Sequence, residues 1–285
     1  MADSLLLNTA LGEPGSGRVR YGAAMALYRD GLLDADQLEA YRVASADDAL
    51  DPRQILEARA LSLPTPSVAL PEHLIRSLVD ESDVYISRLS GPGIAEVREG
   101  IARFRNAAFQ PPLPRANAIV ESYLQKALDV ASVDQPALCA LIAATCSLLR
   151  WITYDLYDRA KIGDGFAEGH AFCTIIGEDG PIHSKDFDLG LFLIAPHVLY
   201  RDHCHPAPEL YAPLTGPHGW RFKPNAPMII KNAHMPVWNE PNAPHMTKVG
   251  TVPFLCLYCW TRDNDKPAQV LPANDWAELE VLRLG

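Results

Sequence analysis

The pattern of this chain changes at Gly163, and that change limits its fold more than any other feature. Upstream, from Gly22 to about Arg159, apolar residues recur at helical spacing between caps and breakers. Ala23 to Asp30, Asp34 to Val43 and Pro52 to Leu61 read as short helices, with Asp34 and Asp51 placed as N-caps and Pro52 at a first helical position. Pro71 to Ser87 and Ile94 to Phe104 continue the pattern up to a Pro-rich hinge, Gln110 to Arg115. Asn117 to Ala131 and Gln135 to Tyr157 follow as longer helices, the second apolar around much of its circumference and therefore buried. Downstream, Phe172 to Ile176, Leu189 to Ile194, Glu209 to Leu214, Met228 to Ile230 and Pro253 to Trp260 are short runs of strand type, separated by Gly and Pro clusters. The predicted class is α+β: a helical N-terminal region over 1–160, then an antiparallel β-sandwich or β-barrel over 161–285.

The 285 residues are 48% apolar, ample for a real core, and the formal net charge is -10. That charge repels a phosphate backbone, so nucleic acid is not an expected partner. The longest apolar stretch, Ala137 to Ile152, is interrupted by Thr145, Cys146, Ser147 and Arg150 and falls short of a bilayer span, so no membrane partner is expected either. The leucine triplet near the start lacks a basic leader, and the expected location is cytoplasmic. Six cysteines are too few for a disulfide framework in a chain this long. Cys256 and Cys259 form a CxxC, but they sit in Phe254-Leu-Cys-Leu-Tyr-Cys-Trp260, which reads as a buried strand, and no second CxxC exists to complete a zinc site.

Chemistry concentrates in residues 200–216, Tyr-Arg-Asp-His-Cys-His-Pro-Ala-Pro-Glu-Leu-Tyr-Ala-Pro-Leu-Thr-Gly. On an extended strand, residues two apart share a face, so His203 and His205 can both point inward. Glu209 follows a turn stiffened by Pro206 and Pro208, and Gly216 supplies the next tight turn. Imidazole with carboxylate suits a divalent transition ion such as zinc, iron, manganese or nickel. A third imidazole is expected from a later strand. His234 and His245 compete for that place, and His245, followed by the strand ending in Trp260, is the better positioned. His203 either binds the ion or orients the other ligands. His170, His183, His197 and His218 carry no spacing signal and read as surface or loop residues.

The run H-x-H-x3-E-x6-G matches the first motif of the cupin superfamily, and Pro241-Asn-Ala-Pro-His245 resembles the end of its second. More narrowly, the stretch from about Gly163 to Asp263 is similar to the cupin-type dimethylsulfoniopropionate (DMSP) lyases. The resembling features are Tyr200 five residues before His205, Glu209-x-Tyr211, Pro-Asn-Ala-Pro-His245, and a closing strand ending in Trp260. This resemblance implies a double-stranded β-helix, with a metal held at the positions of His205, Glu209 and His245, a tyrosine at Tyr211 at or near the ion, and a base at Tyr200.

The implied reaction is a β-elimination: a base takes the proton α to the carboxylate, dimethyl sulfide leaves from the β carbon, and acrylate remains. A dication disperses the developing carboxylate charge and favours ionisation of a phenol whose ordinary pKa is near 10, so Tyr200 or Tyr211 could serve as the catalytic base. The sulfonium calls for an aromatic wall, for which Trp260, Trp238 and Trp220 are candidates, at on the order of 0.5–2 kcal/mol for a cation over an aromatic face. The expected partner is a small zwitterionic or anionic substrate. The alternatives are a cupin dioxygenase or isomerase acting on another small carboxylate or polyol, and a non-catalytic ligand-binding cupin. The helical half reads as a homodimer surface, a lid or a packing partner.

Overall fold

A computed structural model describes residues 6–7, 9–29, 31–62 and 70–284. Asp30, the expected last residue of the first helix, and Leu5 of the leucine triplet lie outside them. The chain divides into two compact units, Met1–Leu74 and Ile75–Gly285.

In the first unit, α1 (Ser16–Arg29), α2 (Ala35–Ala44) and α3 (Pro52–Ala58) pack around Ala24, Leu27, Leu33, Ala40, Tyr41 and Leu56. Both expected caps form. The Asp34 carboxylate accepts the Gln37 backbone N–H at 2.7 Å while the Gln37 side chain accepts the Asp34 N–H at 2.8 Å, a reciprocal capping box. Asp51 caps α3, with Pro52 in the first turn.

The second unit holds most of α4 (Leu70–Ser87), then α5 (Ile94–Phe104), α6 (Ala118–Ala131) and α7 (Pro136–Thr145), the short helices α8 (Arg159–Ile162) and α9 (Asp164–Glu168), eleven strands, and α10 (Trp276–Val281). The expected helix from Gln135 to Tyr157 is corrected: α7 stops at Thr145, a 3-10 turn follows over Cys146–Leu148, and the chain then runs extended. Ile152 exchanges two backbone hydrogen bonds with Phe172, at 2.9 and 2.8 Å, and the Trp151 N–H donates to the Arg115 carbonyl. A run of aromatic and β-branched residues beside an open strand edge gains more from pairing than from a further helical turn. Among the described residues no helix is long and apolar enough to cross a membrane.

The strands are β1 (His170–Gly177), β2 (Ile182–His183), β3 (Asp188–Ile194), β4 (Leu199–Cys204), β5 (Glu209–Pro213), β6 (His218–Arg221), β7 (Ile229–Lys231), β8 (Val237–Asn239), β9 (His245–Lys248), β10 (Phe254–Trp260) and β11 (Gln269–Val270). They form two sheets, ordered β2-β1-β3-β10-β5-β8 and β11-β4-β9-β6-β7. The expected antiparallel β-barrel is built as two ladders, in the manner of a β-sandwich. Every pairing except β1 with β2 is antiparallel, and from β3 onward the chain switches sheets at almost every connection. That alternation is the double-sheet jelly roll to which cupins belong.

The central strands are apolar on both faces, with a period of two. Leu189, Leu191, Leu193, Leu255, Leu257 and Cys259 pack in one core with residues of α4 to α7, such as Val79, Ile101, Leu128 and Ile142. Phe192, Ile194, Phe254, Cys256 and Tyr258 share a second core with Tyr200 and Trp220 of the other sheet. The compact division therefore falls at Leu74/Ile75, upstream of the helix-to-strand change, because α4 to α7 are one layer with the six-stranded sheet. The same period puts Cys256 and Cys259, three apart, on opposite faces of β10, and both thiols are free and buried.

Candidate metal centre

Three imidazoles converge inside the second core. His203, near the end of β4, pairs directly with His245, the first residue of β9, and their ring centroids lie 4.0 Å apart. His205 follows the end of β4, its ring 5.0 Å from that of His245. Each Nδ1 points at a backbone carbonyl: His203 at Arg201 (2.8 Å), His205 at Ala207 (2.8 Å) and His245 at Ala243 (2.9 Å). A carbonyl can only accept, so each Nδ1 carries the hydrogen and each Nε2 is left with a lone pair. The ligand atoms of the three rings lie within 4.8 Å of one another.

Glu209, the first residue of β5, closes the group. Its Oε2 lies 3.1 Å from His205 Nε2 and 3.4 Å from His245 Nε2. The same oxygen accepts from the Asn239 amide at 3.2 Å, and Oε1 accepts from the Trp260 indole N–H at 2.7 Å. Both donors are cross-strand neighbours, since β8 sets Asn239 and β10 sets Trp260 opposite Glu209. Burial works to raise the Glu209 pKa, but the His205 and His245 imidazoles outweigh it and hold the carboxyl well below its ordinary range. Burial likewise works to lower the His205 pKa, and Glu209 overrides it upward. A buried carboxylate facing lone pairs is an arrangement that a cation between them would stabilise.

The donor set fits a metal ion on the molecule's own evidence. His203 Nε2 and His245 Nε2 are buried with no hydrogen-bond partner among the described residues, while their Nδ1 atoms are fixed from behind. The three imidazoles could hold a divalent transition ion, with the Glu209 carboxylate beside them.

A β-bulge brings Tyr200 to the same place. In the β4–β9 ladder Tyr200 faces Thr247 and His203 faces His245, so three steps on β4 match two on β9. Residues three apart on a regular strand point to opposite faces, and the extra residue turns Tyr200 inward. Its ring stacks on His203 at 3.8 Å and on Phe166 at 3.8 Å, and its hydroxyl lies 2.7 Å from that of Tyr157. Burial pushes the Tyr200 phenol well above its ordinary pKa.

A cavity of about 290 Å³ opens beside these groups, with Glu209, Tyr200, Tyr211 and Trp260 on its wall. Tyr211 stands two residues from Glu209 on the same face of β5, its ring 6.2 Å from that of His245. In the same row across the sheet, Tyr258 faces both Tyr211 and Gly190. A Cβ on Gly190 would collide with the Tyr258 ring, so the glycine gives that ring its room.

Of the three tryptophans, only Trp260 lines the cavity, its ring 4.6 Å from that of His205. Trp220 is fully buried against Tyr211 and Phe254. Trp238 packs against the helical core and donates to Glu240 at 2.8 Å. His234 lies apart, 3.1 Å from the Tyr85 hydroxyl and 3.4 Å from Asp134.

Two of the four histidines read as surface or loop residues are buried. His170 points Nδ1 at the Phe166 carbonyl and accepts the Tyr154 N–H at 2.9 Å, and burial pushes its pKa down to about 4. His218 accepts the Gly250 N–H and lies 3.3 Å from the Thr215 hydroxyl, with the same pKa of about 4 from the same cause. Sequence reasoning also passed over Tyr157, Asn239 and Asp188. Tyr157 was assigned to a helix, and the other two are recognisable only through the strand register.

The sequence profile of the family described as dimethylsulfoniopropionate lyase matches residues 94–256, more than half of the chain. The putative dimethylsulfoniopropionate lyase DddL of Cereibacter sphaeroides is 28% identical over 152 residues, covering 52% of this chain and 61% of that protein. The chain thus matches less than two thirds of that relative's length. Among solved structures, the DMSP lyase DddQ from Ruegeria pomeroyi superposes with a TM-score of 0.53 at 21% identity, over 69% of this chain and 95% of that one. A chain from the crystal structures of the DMSP lyases RdDddP and RnDddQII gives 0.52 at 18%, over 71% of this chain and 100% of that one. At these identities the superpositions speak for the fold alone.

Proposed function

Because this chain belongs to the dimethylsulfoniopropionate lyase family, we propose that it cleaves DMSP to dimethyl sulfide and acrylate in the cavity beside the three histidines and Glu209. His203, His205, Glu209 and His245 are the residues that would hold a divalent ion, which when bound supplies Lewis-acid stabilisation of the charge developing on the substrate carboxylate.

Tyr200 is the proposed base. Its phenolate oxygen takes the proton α to the carboxylate, the released pair forms the C=C bond, and the C–S bond breaks with its electrons leaving on dimethyl sulfide. The observation that carries this role is the bulge-driven placement of Tyr200 between the Phe166 and His203 rings, with the Tyr157 hydroxyl 2.7 Å from its own. The stacked rings fix the phenol in place but, by burying it, hold its pKa up, so its ionisation would rest on a nearby dication and on the Tyr157 hydroxyl donating to the phenolate as it forms. Tyr211 borders Glu209 on the cavity wall, and Trp260 offers an aromatic face to the sulfonium while its N–H steadies the Glu209 carboxylate.

The test is headspace detection of dimethyl sulfide from purified, metal-restored protein supplied with DMSP, with Tyr200→Phe and Tyr211→Phe beside it. Wild type is expected to release it and Tyr200→Phe to lose roughly 10²–10⁴-fold in rate. No release from wild type transfers the cavity to oxidation or isomerisation of another small acid. A fully active Tyr200→Phe removes the base.

A further inference from the structure

The wall of the cavity carries five carboxylates, Glu178, Asp179, Asp188, Glu209 and Asp265. Arg150 is its one guanidinium; it is exposed at the mouth and makes no ion pair among the described residues. Glu209 belongs to the metal centre. Of the others, Asp188 is placed by the sheet itself.

The register sets Asn239, Glu209, Trp260 and Asp188 in one row across β8, β5, β10 and β3. Adjacent strands are about 4.8 Å apart, so the backbones of Glu209 and Asp188 stand roughly 10 Å from one another with the Trp260 position between them. Asp188 Oδ1 accepts from the Asn264 amide at 3.1 Å, and no lysine, arginine or histidine among the described residues pairs with the carboxylate. Gly177 leaves it space, since a Cβ there would collide with Oδ1. Burial followed by the Asn264 hydrogen bond sets its pKa at about 7, so a nearby positive charge decides its ionisation.

A metal ion at the histidines makes that end of the row attractive to an anion, while the far end stays acidic. We propose that Asp188 recognises the onium charge of a zwitterionic substrate, fixing which way round the molecule enters and rejecting neutral molecules of the same shape. This rests on the reading of the cavity as the DMSP site. It goes beyond it in assigning cation selectivity to a carboxylate on the far side of Trp260.

The experiment is calorimetric titration of the metal-loaded full chain with two isosteric carboxylates, 3-(trimethylammonio)propanoate, which bears a cationic end, and 4,4-dimethylpentanoate, whose corresponding tert-butyl end is neutral. Wild type should prefer the cationic probe. Asp188→Asn should weaken that probe roughly tenfold and leave the neutral one unchanged, with Asp188→Glu restoring most of the preference. For DMSP turnover, KM should rise about tenfold in Asp188→Asn while kcat stays within a few-fold. Equal weakening of both probes would make Asp188 a structural partner of Asn264 and overturn the assignment, as would no change in either. Dimethyl sulfide release by wild type reads the functional assignment separately: its absence sinks that assignment, while discrimination between the probes still decides the role of Asp188.

Discussion

Metal binding at the three histidines should raise the melting temperature of the Ile75–Gly285 unit by roughly 4–24 °C over the metal-free protein. The magnitude follows from the two buried nitrogens, His203 Nε2 and His245 Nε2, which have no hydrogen-bond partner among the described residues. Each unmet buried acceptor costs about 1–3 kcal/mol, so their loss of a shared cation removes about 2–6 kcal/mol. For a unit of about 210 residues, each kcal/mol moves the midpoint by roughly 2–4 °C. The assay is scanning calorimetry of protein dialysed against a strong chelator, then resupplied with zinc, manganese, iron(II) or nickel, with elemental analysis of each sample. His203→Gln and His245→Gln should melt near the metal-free temperature and ignore added metal. Identical melts for metal-loaded and metal-free wild type, or no transition metal in either, would show that the lone pairs do not converge on a cation.

Three further outcomes are expected. Tyr157→Phe removes one hydrogen bond to Tyr200 and should slow turnover roughly 2- to 12-fold by steady-state kinetics, without the collapse expected of Tyr200→Phe. In the native protein a thiol reagent should titrate only Cys146 and Cys204, the two partly exposed cysteines, and a disulfide between Cys256 and Cys259 in mass spectra would contradict the strand geometry. The His218 pKa of about 4 lies below the ordinary value near 6.5, so the unfolded chain takes up the proton first. Its contribution of roughly 3 kcal/mol should be complete above pH 6.5 and lost as the pH falls towards 4. Denaturant titrations of His218→Asn should show a shallower loss over that window, and parallel slopes would dismiss the effect.

The residues that share a strand were legible from the sequence. His203, His205, Glu209 and Tyr211 obey the two-residue period, and Asp34, Asp51 and Pro52 announce their helices by side-chain chemistry that acts within a few residues. What depended on pairing was not legible. The bulge that turns Tyr200 inward is a mismatch between β4 and β9, and neither strand displays it alone. The row joining Asp188 to Glu209 exists only because β10 lies between β3 and β5. The segment after Thr145 misled for a related reason: its apolar content announces burial, but Phe172, some twenty residues on, decides that it is buried as an extended chain. Apolarity likewise ranks Trp220, Trp238 and Trp260 alike, and only the sheet face separates them.

The switching of strands between sheets has a kinetic consequence. β3 and β5 are joined solely by β10, which is translated after both, and His245 also follows them. At about 5–20 residues per second, roughly 2–9 s pass between completion of β5 and the last residue of β10. Throughout that interval the leucine-rich edge of β3 is open, and until His245 is delivered three of the four proposed ligands lack the fourth. A nascent chain of this design gains from being shielded from its neighbours while it waits, and its proposed ligand set is complete only after His245.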